Sequence, residues 1–269
     1  MVADSDEVLD DTADREDQVQ DISNLSGARS LDRPFVVLRV LRENRFPMRL
    51  TEIATAANLH LASTQRIVNL LIKHGYVERA GVDYRLGVVS LIDGFTYLST
   101  NTLKQIAEPV LLELTAATKL TSILSVRFDL TEVTVLVVPG TPHSRYQAMV
   151  GEQVPLVVGG AGVLAAALSP DDLERLLDGV EEIPLASGTV LGRMEYMENL
   201  EVIRTRGYAL GPGQADRGGV SVAVPVTNHA DDVVAAIQVT GHIEDIPVDV
   251  DALISELKRA SAAITRRAP

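Results

Sequence analysis

Arg66, Asn69 and Lys73 lie three or four residues apart in the stretch 62–74, with Ser63, Thr64 and Gln65 just before or among them. A helix sets residues at this spacing on one side. That side would offer amides, a guanidinium and an ammonium. Amides and guanidinium groups pair with base edges in a duplex major groove, and the cations neutralise phosphates. Arg49, ahead of a neighbouring short helical pattern, adds a cation, as do Arg79 and Arg85 around a turn. These can reach phosphates or an adjacent minor groove. The alternative is a solvated polar face with no partner, and the surrounding elements decide between the two.

Elsewhere the reactive chemistry thins out. The chain has no cysteine, which excludes thiolate catalysis, disulfides and cysteine-ligated metals. The five histidines include His60 and His74 at the ends of the polar helix. His229 lies near Asp231 and Asp232, and His242 near Glu244 and Asp245. None falls in a three- or four-ligand spacing, so no metal and no cofactor are expected. No Gly-x-Ser-x-Gly, phosphate-binding loop or His-Glu-x-x-His motif is present, and no catalytic residue is assigned. Gly159-Gly160-Ala161-Gly162 precedes a short helical pattern. Two readings stand: bare amides at a helix start that favour an anion, or a tight turn that needs glycine.

Charge is distributed unevenly. The 269 residues carry a net −13. Residues 29–87, however, hold ten Lys/Arg against five acids, while residues 1–28 hold nine acids and one Arg. A basic block inside an acidic protein is the electrostatic footprint of a DNA-binding module. The acidic start is poor in apolar side chains and reads as a disordered tail. It lacks the basic and apolar regions of a signal peptide, and no apolar run is long enough to span a membrane. The expected setting is therefore the cytoplasm.

The elements that must position the polar helix are legible. Leu31, Phe35, Leu38 and Leu41 mark a first helix, capped by Ser30 and ended before Pro47. Thr51–Ala57 forms a second, followed by Asn58 in a turn that tolerates a left-handed backbone. Ala62–His74 forms the third, with Ile67, Leu70 and Leu71 facing inward and Gly75 as its stop. Tyr76–Arg79 and Tyr84–Leu86 make a hairpin. Three helices and a hairpin in this order form a winged helix-turn-helix over residues 29–87.

Several segments resemble the IclR family of bacterial transcription regulators. They are Ser30-Leu31-Asp32-Arg33, Leu50-Thr51-Glu52-Ile53-Ala54, Ser63-Thr64-Gln65-Arg66, Gly75-Tyr76-Val77-Glu78-Arg79 and Tyr84-Arg85-Leu86-Gly87. More weakly, Gly151-Glu152-Gln153-Val154-Pro155-Leu156 with Gly160-Ala161-Gly162, and Arg206-Gly207-Tyr208-Ala209 through Gly218 to Ala223-Val224-Pro225-Val226, are similar to later family segments. The likeness runs over about residues 29–266. It implies a GAF-like effector domain that binds a small organic acid or aromatic. Carried over by position, Gly160, Ala161, Ser221, Gln238 and Thr240 would line its pocket. Gln214 and Ser221 stand where the family commonly has an acid and a cysteine, which points to a different ligand from that of the better-known members.

The second half agrees with that expectation on its own terms. Residues 88–102 read as a linker helix whose stripe Leu91, Ile92, Phe95 and Leu98 is a dimer seam or a core face. Pro109 fits the first turn of a further helix ending near Lys119. Thr121–Phe128 with Glu132–Val138, and Val220–Val226 with Val233–Val239, form strand pairs. Helices begin at Ser169-Pro170 and cover about 194–206 and 250–266. Strand pairs separated by helices give an antiparallel sheet with helices packed on it, an α+β domain over 103–269. Arg127, near the end of an apolar strand, pairs either with an anionic ligand or with a surface acid. The expected function is a DNA-binding regulator of a catabolic operon, a repressor by default. It would bind a double-stranded operator as a homodimer or a tetramer and be controlled by a carboxylate or aromatic effector. The alternative reading is a ligand-sensing module that works through protein partners.

Overall fold

The structure, a computed structural model, describes residues 28–44, 46–140, 148–158, 162–184, 188–212, 219–242, 244 and 249–268. All but the last residue of the expected acidic tail lies outside them, as do Gly160, Ala161 and Gln214.

The first three helices among the described residues are α1 (Ala28–Glu43), α2 (Leu50–Ala56) and α3 (Leu61–Lys73). Because α1 begins at Ala28, Ser30 lies inside the helix and does not cap it. Its buried side is Val37, Val40 and Leu41, while Leu31 and Phe35 of the expected stripe are exposed. The inward side of α3 also differs from expectation. Thr64, Val68 and Leu71 are buried at i, i+4 and i+7, and Leu70 is 48 % exposed. The apolar residues of α3 wrap around more than one side, so the stripe of hydrophobic types is rotated from the stripe that packs. Asn58 does adopt a left-handed φ of 51° in the turn between α2 and α3.

Strands β1 (Val77–Ala80) and β2 (Asp83–Leu86) form the wing. Met48 exchanges backbone hydrogen bonds of 2.8 and 2.9 Å with Tyr84, adding a bridge from the α1–α2 loop. Met48, Val77 and Tyr84 close the same core as Val37, Ile53 and Val68. The end of α3 is crowded. Gly75 has φ 76°, and a Cβ at Gly87 would lie 2.2 Å from the Gly75 carbonyl oxygen. No side chain fits there, so two glycines fix how the wing returns to the end of α3.

Helix α4 (Val88–Thr100) follows the wing, and the division between two compact units falls inside it, between Tyr97 and Leu98. Leu91, Ile92 and Phe95 are exposed, while Leu98 packs on the core of the second unit. Helix α5 (Thr102–Thr118) starts earlier than expected: Asn101 caps it by accepting from the Lys104 amide, and Pro109 lies in its interior.

The second unit is built on a six-stranded antiparallel sheet of order β5-β4-β3-β10-β9-β8. Its strands are β3 (Thr121–Phe128), β4 (Thr131–Val138), β5 (Gln153–Pro155), β8 (Ala209–Pro212), β9 (Gly219–Thr227) and β10 (Val233–His242). Asp129 takes a positive φ in the tight turn between β3 and β4. Helices α6 (Gly162–Ala166), α7 (Pro170–Leu176), α8 (Arg193–Arg206) and α9 (Val250–Thr265) complete the unit, with a small β6 (Glu182–Pro184)–β7 (Val190–Gly192) pair. Ser169 caps α7 as expected. Strand alternation gives the sheet two faces. Leu124, Val222, Val224, Ile237 and Val239 pack with α5 and α9 on one, and Ala223 and Ala236 pack with α6 and α8 on the other. The three-residue β5, β6 and β7 and the four-residue β8 were not legible: the first three are too short for a period-two pattern to register, and β8, Ala209-Leu210-Gly211-Pro212, is half glycine and proline, which read as a loop.

Candidate functional site

Helix α3 presents its polar side opposite its buried one. Arg66, Asn69 and Lys73 are exposed, and Ser63 and Gln65 are half-buried beside them. Gln65 donates from its amide nitrogen to Asn69 Oδ1 at 3.0 Å, an i,i+4 contact that orders both amides on one side. Thr64 does not belong to this surface. It is fully buried, and its hydroxyl donates to the His60 carbonyl at 3.2 Å, so it serves the packing of α3. Sequence spacing placed it among base-reading residues because a first-turn hydroxyl has the right chemistry, but its azimuth points to the core.

The other cations are partly engaged. Arg49 sits at the N-terminus of α2, where Glu52 Oε2 accepts its backbone amide at 2.7 Å. Its exposed guanidinium stands 3.9 Å from Asp83. In the wing, Arg85 pairs with Glu78 at 2.7 Å and Arg79 stacks over the Tyr84 ring at 5.4 Å. A shallow cavity of about 410 Å³ lies elsewhere, between α7 and α8, lined by Asp171, Glu174, Arg175, Asp178 and Arg193. Among the described residues no group of three or more His, Asp or Glu is placed to hold a metal ion. None of the described helices is long and apolar enough to cross a membrane.

On the second unit, Ser221 and Thr240 are directly paired on β9 and β10 and are half-buried. Gln238 lies two residues from Thr240 on the same face and is buried. The structure therefore brings three of the expected effector residues together, on the face that meets α6 and α8. Gly160 and Ala161 lie outside the described residues. Arg127 is committed to an acid: its guanidinium donates to Asp172 Oδ2 at 3.0 Å, and Arg175 joins Asp172 to Asp129 at 2.7 and 2.9 Å. The hydrogen bond from Arg127, then the one from Arg175, hold the Asp172 carboxyl below its ordinary range. That network fastens the β3–β4 turn to α7. Of the two readings open for Arg127, the geometry supplies the salt bridge.

Three residues escaped sequence reasoning. Ser125, Glu132 and Thr134 are all buried on this same face. The available signal was the period-two spacing of Glu132 and Thr134 in a strand otherwise rich in valine.

Comparison with known proteins names the architecture. Residues 30–81 match the IclR helix-turn-helix domain, and residues 95–266 match the bacterial transcriptional regulator IclR C-terminal domain. The chain belongs to the IclR family of bacterial transcription regulators. It is 26 % identical over 244 residues to the HTH-type transcriptional regulator XynR of Escherichia coli, covering 88 % of this chain and 96 % of that one. It is 25 % identical over 226 residues to the transcriptional repressor IclR of the same organism, covering 82 % of each. Its fold is that of a solved IclR homologue from Microbacterium hydrocarbonoxydans complexed with 4-hydroxybenzoate. That match has a TM-score of 0.71 and 20 % identity, over 88 % of this chain and 98 % of that one. This IclR-family chain is thus a transcription regulator with an N-terminal helix-turn-helix DNA-binding domain and a C-terminal effector domain.

Proposed function

We propose that this protein is a ligand-controlled repressor of a catabolic operon, acting on double-stranded DNA in the cytoplasm. The observation that carries the DNA reading is the division of α3. Thr64, Val68 and Leu71 are buried, and Ser63, Gln65, Arg66, Asn69 and Lys73 face away from them. The second group reads bases and grips phosphates in a major groove. Arg49, Arg79 and Arg85 add backbone contacts. Residues 29–87 act as the DNA-binding domain, 88–102 as the linker and 103–269 as the effector domain.

The protein works as a homodimer, which can pair into a tetramer. Leu91 and Phe95 of α4 are 71 % and 69 % exposed, and Ile92 lies beside them. A row of large apolar side chains left in water supports a second copy as its cover. Two-fold pairing then sets two α3 helices in successive grooves. A small metabolite binds on the α6–α8 face of the sheet, beside Ser221, Gln238 and Thr240. It binds one arrangement of the dimer more tightly than the other and so shifts operator affinity. The family resemblance implies a small organic acid or aromatic as that metabolite.

Affinity for a duplex fragment of its own promoter region, measured across salt concentrations, tests the reading. Phosphate contact makes log K fall linearly with log salt, with a slope of about −0.9 per contact. No binding at low ionic strength, or a flat salt response, would overturn it.

A further inference from the structure

The α6–α8 face of the sheet carries a polar group of side chains in a place where the opposite face carries aliphatics. Glu132 is 3 % exposed, Gln238 6 % and Ser125 0 %. Gln238 Nε2 donates to Glu132 Oε1 at 3.1 Å. Gln238 lies on β10 opposite Ile123, and Glu132 lies on β4 opposite Arg127. Ser125 is the residue midway between those two on β3. The amide–carboxylate contact therefore crosses β3 at the level of Ser125. The Ser125 hydroxyl has no hydrogen-bond partner. Ser221 and Thr240 continue the same face with two more hydroxyls.

A buried hydroxyl without a partner weakens a fold, and native interiors keep few of them. One that sits beside a buried carboxylate is half of a recognition set. A ligand hydroxyl both donates and accepts. It can donate to Glu132 and accept from Ser125, and an adjacent hydroxyl extends the same pattern towards Thr240 and Ser221. A bare carboxylate brings only acceptors and no donor for the Glu132 oxygens. An unsubstituted aromatic ring brings neither donor nor acceptor.

We propose that Glu132, Ser125 and Gln238 form a subsite for adjacent hydroxyl groups, so that the effector is polyhydroxylated: a polyol, a sugar or a sugar acid. This rests on the reading of the α6–α8 face as the effector site.

Thermal denaturation of the full 269-residue protein with xylitol, gluconate, pyruvate or benzoate tests it. Xylitol or gluconate raises the melting temperature, because a ligand of the native state stabilises it; pyruvate and benzoate do not. Which of the first two binds tells whether the ligand carries an acid besides its hydroxyls. Ser125→Ala and Glu132→Gln then weaken that ligand by about 10- to 100-fold, as expected for a lost hydrogen bond to a charged or buried group. Without ligand, Ser125→Ala melts at or above the parent temperature, since it deletes an unpaired polar group. A serine with a purely structural role would melt lower. Ser125→Ala carries the test alone if Glu132→Gln does not fold.

The proposal is overturned if pyruvate or benzoate binds in place of the hydroxylated compounds. It is equally overturned if none of the four binds, or if Ser125→Ala leaves binding undiminished. A promoter fragment titrated in parallel separates this failure from failure of the regulatory reading. A polyol that binds yet leaves DNA affinity unchanged removes the face from regulation while the subsite stands. Release of DNA by pyruvate or benzoate does the reverse.

Discussion

The two units keep their polar groups in opposite places. On α3, Arg66, Asn69 and Lys73 stand in solvent, and the fold would form without them. On the sheet, Ser125, Glu132 and Gln238 are shut away from water. Exposed polar groups cost a fold almost nothing, so their meaning lies in what they would touch. Buried ones cost stability unless paired, so their presence needs a reason inside the molecule. The contrast recurs within the sheet itself, where adjacent residues on β3 face an aliphatic layer and a polar one.

The largest effect should come from that adjacent pair. Leu124 is fully buried against the α5–α9 side. Leu124→Ala should lower unfolding free energy by about 2–5 kcal/mol in urea denaturation, through lost transfer energy and a residual cavity. Its neighbour Ser125→Ala should cost nothing, or add stability. Equal losses for the two would erase the distinction drawn between the faces.

Next in size is the contrast between α3 and the wing. Arg66→Ala should weaken promoter binding by about 1–3 kcal/mol, roughly 5- to 150-fold, with an unchanged melting temperature. Arg85→Ala should cost less, because Arg85 is already held by Glu78. Titrations of the two variants at one salt concentration settle their order. A larger loss from Arg85 would move the main contact to the wing.

How much of this was legible follows from the same contrast. The helix-turn-helix could be read because its polar face is exposed, its glycine stop is local and its spacing is helical. The azimuth of α3 could not. Ile67, Leu70 and Leu71 are the obvious apolar set, yet Thr64 and Val68 pack inward and Leu70 does not. Tertiary docking chose among several apolar sides, and periodicity alone does not rank them. In the second unit, strands of eight to ten residues were found to within one residue of their ends, except that the last, expected to stop at Val239, runs on to His242. Pro109 misled, because a proline that suits a first turn here sits inside a helix that Asn101 starts earlier. Glu132, Thr134 and Ser125 were missed because a polar residue in a strand reads as solvent-facing. Only a helix layer on that side, set by chain segments far away, reverses the reading.

Thr64 gives a smaller test of the same point. Thr64→Ala removes a buried methyl and hydroxyl. It should cost the first unit about 1–2 kcal/mol of stability, while the folded protein keeps its promoter affinity within about twofold, well below the 1–3 kcal/mol of a base contact. Loss of binding with stability intact would return Thr64 to the DNA surface.

The smallest effect concerns the ion pairs that fasten the β3–β4 turn to α7. Asp172 accepts from Arg127 and Arg175, and its carboxyl is held below the ordinary carboxylate value. A group whose folded pKa is depressed contributes stability that is fully present above its unfolded pKa. That contribution is lost as pH falls through the folded value. Asp172→Asn should therefore lower stability slightly at neutral pH and flatten the acid limb of the stability–pH curve below about pH 4, the unfolded carboxylate range, so that variant and parent converge in acid. The residues are solvent-accessible and screened by salt, so the difference should shrink as ionic strength rises. An Asn variant that loses promoter response to effector, with its acid limb unaltered, would instead place Arg127 in the binding site and not in the scaffold.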